Sequence, residues 1–82
     1  VNQYVITYNS VEHGDGLLYD YETIKGKTPK EALKKHFNRE FKRLTGDAGR
    51  YADVILIKGY YDEEHNIIRY TGRYQTLCYG LV

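Results

Sequence analysis

This 82-residue chain contains no tryptophan, no methionine, one cysteine and one proline, and each shortage excludes something. With Cys78 alone, no disulfide can close within the chain and no group of thiolates can hold a metal. No apolar run approaches the roughly 18 residues of a helical membrane span, and no secretory leader pattern is visible. A cytoplasmic setting without membrane contact is therefore expected. The glycines do not fall at G-x-x-x-x-G-K-[ST] or G-x-G-x-x-G spacing, so no phosphate-cradling loop is read. His13, His36 and His65 make neither H-x-x-x-H nor H-E-x-x-H, so no metal and no cofactor is expected. Cys78 has no base placed beside it in sequence and reads as a small strand residue, not a nucleophile. The chain is thus expected not to be an enzyme.

Tyrosine is what the chain has in quantity, at ten residues beside two phenylalanines. Tyrosine suits strands, keeps a polar tip wet and is enriched on binding surfaces. The length fits a single domain, residues 1–82, with one modest core.

Residues 28–44 read as one helix. Thr28 and Glu31 form a T-x-x-E capping box, Pro29 falls on the first helical position, and Gly46 follows the last apolar residue as a stop signal. Leu33, Phe37, Phe41 and Leu44 recur as a narrow stripe, with His36 at its edge four residues before Glu40. Lys34, Lys35, Arg39, Lys42 and Arg43 occupy the other side. Between residues 28 and 44 six cations face two acids, a formal +4, whereas the remainder of the chain is −3. That basic face could track phosphates, with sheet tyrosines stacking on unpaired bases, or it could simply be a solvated helix surface.

Residues 3–11 alternate as a strand, with Tyr4, Ile6 and Tyr8 on one side and Val5, Thr7 and Asn9 on the other. A reversing loop at 12–16, with His13 and Asp15, leads to a second strand at 17–25. After the polar turn 47–50, residues 52–61 form a strand whose Val54-Ile55-Leu56-Ile57 run is apolar on both faces and therefore central. Asp62, Glu63 and Glu64 with His65 make an acidic tip, which could hold a cation but reads more simply as a soluble loop. Residues 67–71 pair back, and Thr71-Gly72-Arg73 either bends this strand or separates a final strand, 74–81; the second reading is preferred. The expected fold is α+β: a single antiparallel sheet of four or five strands, ββαββ or ββαβββ, with one helix packed on one face. A ferredoxin-like plan would need a second helix.

The stretch from Ile24 to Leu33 resembles the strand-to-helix junction G-x-T-x-x-E-A-L of small HicB-type antitoxins and of many unrelated phage and bacterial domains. It spans some ten residues, and no functional residue is transferred from it.

One helix shields one sheet face. The other, centred on Ile55 and Ile57 with Tyr61, Arg69 and Arg73 around it, is then expected to meet a protein partner or a second copy of the chain, as a regulator or inhibitor would. The opposing possibility is that tyrosines, loops or the last strand roof that face themselves. Single-stranded nucleic acid, taken on Lys34, Lys35, Arg39, Lys42 and Arg43, is the second functional reading, against which a pI of about 8.0 weighs.

Overall fold

The computed structural model describes residues 1–13 and 21–82, with the backbone alone for residues 12 and 13. The loop expected at 12–16 and the first part of the strand expected at 17–25 thus lie mostly outside the described residues.

The fold is mixed α+β, a helix packed on an antiparallel sheet, and the described residues contain six strands, not four or five. In order they are β1 (Asn2–Asn9), a four-residue turn of helix α1 (Ser10–His13), β2 (Glu22–Gly26), α2 (Pro29–Phe37), β3 (Phe41–Leu44), a 3-10 turn (Gly46–Tyr51), β4 (Val54–Asp62), β5 (Ile67–Tyr70) and β6 (Thr76–Leu81). Side by side the strands run β2-β1-β4-β6-β3, all antiparallel, with β5 pairing only to β4. β2 and β3 are therefore opposite edges of one sheet, and α2 connects them by crossing its face. No described helix is long and apolar enough to cross a membrane.

The helix starts as its sequence dictates and stops early. Thr28 Oγ1 accepts the Glu31 amide (3.1 Å) and Pro29 opens the first turn. Asn38, however, takes the left-handed conformation (φ 55°) and its amide returns to the Lys34 carbonyl at 2.7 Å, ending α2 seven residues before the expected Leu44. Asparagine tolerates this conformation and so can cap a helix as glycine does. The freed segment pairs with β6, Phe41 opposite Leu81 and Leu44 opposite Cys78, which satisfies an edge that would otherwise stay unpaired. Gly46 is still left-handed (φ 59°), but it opens the 3-10 turn instead of closing a helix.

α2 covers the face formed by Tyr4 and Ile6 of β1, Ile24 of β2, Phe41 of β3, Val54 and Leu56 of β4, and Leu77 and Tyr79 of β6, all buried with Ala32 and Leu33. The expected sidedness of β1 holds only to Ile6. Ile6 pairs with Leu56 but Tyr8 pairs with Ile55, so Thr7 is an extra residue, and its hydroxyl donates to the Ile55 carbonyl at 3.1 Å. The bulge moves Tyr8 to the back face and brings Asn9, fully buried, to the helix side. There Asn9 Oδ1 accepts the Val11 amide and starts α1.

β5 and β6 are separate, as preferred from the sequence, yet the chain does not reverse between them. Both run antiparallel to β4 along the same edge, Tyr70 opposite Gly59 and Thr76 opposite Ile57, so segment 71–75 is a bulging interruption of one line of pairing.

Candidate functional site

At Gly59 (φ 151°) β4 changes course, and β4 with β5 continues as a two-stranded arm. Thr23 of β2 lies on the back face level with Val5 and Ile57. The Tyr61 amide nevertheless donates to Thr23 Oγ1 at 3.2 Å, across the intervening β1. The arm thus folds back over the sheet face that α2 does not cover. Val5 is fully buried under it and Ile57 is 7% exposed. Ile55, farther along, remains half-buried. The 3-10 turn closes the other end of the back face: a Cβ on Gly49 would stand 3.5 Å from Cys78 Sγ.

This placement corrects the picture of an open, aliphatic sheet face. Ile57 is core, Ile55 is a partial edge of it, and Val54 and Leu56 face the helix, fully buried. Tyr61 and Arg69 are not neighbours on one surface. Tyr61 is opposite Ile68 and Arg69 opposite Tyr60, so alternation sends them to opposite sides of the arm. Arg73 is exposed in the interruption 71–75.

On the arm's Arg69 side, exposed Tyr60 and Ile67 stand beside the Arg69–Asp62 ion pair (Nε to Oδ2, 2.8 Å). At its base Tyr70 and Tyr74 pack edge to face at 4.7 Å and remain 53% and 55% exposed. The arm's tip is braced. Asp62 Oδ2 also meets His65 Nδ1 at 2.8 Å, and Asn66 closes the turn with a positive φ of 54°. The Arg69 guanidinium first, and His65 second, hold the Asp62 carboxyl down at about 2. Asp62, Glu64 and His65 each offer a ligand atom within 4.8 Å of the others. A metal there would have to displace the guanidinium already on Asp62.

The expected basic helix face is dispersed. Lys34 and Lys35 are on α2, Arg39 lies in the turn after it, and Lys42 and Arg43 are on β3, where alternation points them to opposite faces. Lys34 is ion-paired with Glu40. Arg43 lies 5.7 Å over the Tyr79 ring and donates to the carbonyls of Leu44 and Cys78, at 3.0 and 3.3 Å. His36, whose spacing to Glu40 would suit an i,i+4 contact on a continuous helix, meets Glu22 of β2 at 3.1 Å, because Glu40 is not on the helix.

Between the arm and the start of β2 a cleft of about 630 Å³ opens, lined by Tyr21, Glu22, Thr23, Tyr61 and Glu63. The rings of Tyr21 and Tyr61 are 5.4 Å apart at a tilt of 55°. Sequence reading missed this site, since its two halves are some forty residues apart and meet only because Gly59 turns the arm. Compared with known protein families, curated proteins and solved structures, the chain has no significant match. The local likeness to HicB-type antitoxins accordingly assigns no family.

Proposed function

We propose that the chain is a non-enzymatic protein-interaction module of the cytoplasm, a small regulator or inhibitor, and that it meets its protein partner with the β4–β5 arm. One observation carries this reading: the arm exposes Tyr60 and Ile67 beside Arg69 on a side that packs against no core, and at its base, where alternation turns Tyr70 to the other side, Tyr70 and Tyr74 stay exposed as a packed pair next to Arg73. Aromatic and arginine side chains grouped on a rigid projection are the composition of interface hot spots. The back of the sheet, by contrast, is largely occupied by the arm itself.

The test uses two exposed substitutions, Ile67→Lys and Tyr70→Glu, in capture from host lysate and in scattering-mass measurements over a concentration series. Expected is a nuclease-resistant complex of defined mass that both variants lose while their melting temperatures stay near that of the parent. Unchanged capture by both variants overturns the reading. Release by nuclease would favour single-stranded nucleic acid instead, for which the dispersed cations supply no added support. Concentration-dependent mass in the isolated chain would identify the partner as a second copy.

A further inference from the structure

The cleft at the root of the arm has a composition that selects a ligand. Its walls are the Tyr21 and Tyr61 rings, and its rim carries Glu22 and Glu63. Aromatic faces are negative, so rings and carboxylates together favour positive charge. The Tyr61 ring is fixed without any ligand: its backbone amide is held by Thr23 Oγ1 and its hydroxyl by Asn66 Oδ1. A preformed wall loses little entropy when something binds against it.

The same features argue against a bare metal ion. Hard cations need several converging oxygens, whereas among the described residues only Glu22 and Glu63 line the cleft with carboxylates, and Glu22 already faces His36 at 3.1 Å. An alkylammonium group fits better, because its charge is spread over methyl or methylene groups that give up water cheaply against a ring. With the ring centroids 5.4 Å apart, one such group can lie within the roughly 6 Å reach of both.

We propose that this cleft binds an alkylammonium head group, the side chain of a lysine or methylated lysine on a protein partner or a free quaternary amine. The first source rests on the arm being the partner-binding surface and names what the partner inserts there.

The test follows the tyrosine ring signals by NMR during titration with three probes: choline, its neutral tert-butyl isostere, and N-acetyl-trimethyllysine amide. Expected are saturable shifts of the Tyr21 and Tyr61 rings with both ammonium probes, and binding of the neutral isostere weaker by severalfold. Tyr21→Leu and Glu63→Gln, both at exposed positions, should each weaken ammonium binding by roughly two- to fivefold at an unchanged melting temperature. Tighter binding of the lysine probe assigns the head group to a protein partner, and tighter binding of choline assigns it to a free ligand. Equal binding of the neutral isostere, or no saturable shift, overturns the proposal. Ile67 does not line the cleft, so failure here would leave the Ile67→Lys capture test of the arm standing by itself.

Discussion

Gly26, the last residue of β2, lies so close beneath the first turn of α2 that a Cβ on it would stand 2.7 Å from the amide nitrogen of Ala32. The Cα and Cβ of Ala32 would be nearly as close, at 2.9 Å each, and all three atoms belong to a helix already fixed by Thr28 and Pro29, so neither side can yield cheaply. Gly26→Ala should cost about 1–3 kcal/mol as overpacking, and Gly26→Val more, read from urea midpoints at constant m-value.

Gly59 makes the arm. Its φ of 151° belongs to glycine, and a Cβ there would run into the Arg69 carbonyl of the paired strand. Gly59→Ala should cost about 1–3 kcal/mol. It should also loosen the arm selectively, seen as faster hydrogen exchange at the Tyr61 amide than at the Leu56 amide. Equal protection of the two amides in the variant would contradict the pivot.

The four apolar residues of β4 should respond to substitution according to position, not hydrophobicity. Leu56→Ala, against the helix, should cost about 2–5 kcal/mol. Ile57→Lys should be equally damaging, because it forces a charge beneath the arm. Ile55→Lys should be tolerated much better, since that side chain can lift its ammonium into water. Thermal melts of the three variants rank them; equal losses at Ile55 and Ile57 would mean that the arm does not cover one more than the other.

Asn38 should be replaceable by glycine with a change of only a few tenths of a kcal/mol, and by valine at a cost of about 1–2 kcal/mol, because only the left-handed conformation frees Phe41 to enter β3. Far-UV circular dichroism should show no gain of helix in either variant.

Asp62 supplies a pH signature. Its carboxyl is lowered from 3.8 to about 2, chiefly by the Arg69 hydrogen bond. A depressed folded-state value contributes stability above pH 3.8, which declines as pH falls towards about 2 and is gone below it. A carboxyl-carbon titration should place Asp62 well below its ordinary value of 3.8, and Arg69→Gln should raise it towards that value. An unshifted Asp62 in the parent would remove the brace at the arm tip.

The sequence was informative wherever the deciding interaction is local. The Thr28 cap lies three residues from the amide it satisfies, and the apolar run of β4 signals a central strand regardless of its neighbours. The stripe Leu33-Phe37-Phe41-Leu44 reads as one helix face, but the structure buries Leu33 and Phe41, leaves Phe37 and Leu44 half-buried, and divides the four between a helix and a strand. In the structure the Phe37 and Phe41 rings do meet, at 5.5 Å, from a helix and a strand. Periodicity registers which residues are buried together and not whether the backbone between them stays helical; Asn38 settled that. Asp53 had no sequence signal at all, yet its carboxylate accepts both the Ser10 hydroxyl and the Leu81 amide, joining the end of β1 to the end of β6.

By itself the sequence determined an α+β domain with a capped helix, a doubly apolar central strand and a surplus of tyrosine, because capping and side-chain alternation act over a few residues. Only the tertiary structure decided that β3 exists, that Thr7 shifts the register of β1, and that the arm from Gly59 shelters Val5 and Ile57. Those outcomes depend on pairing between distant segments, where unpaired backbone groups and uncovered apolar surface are resolved by whichever strand can reach them.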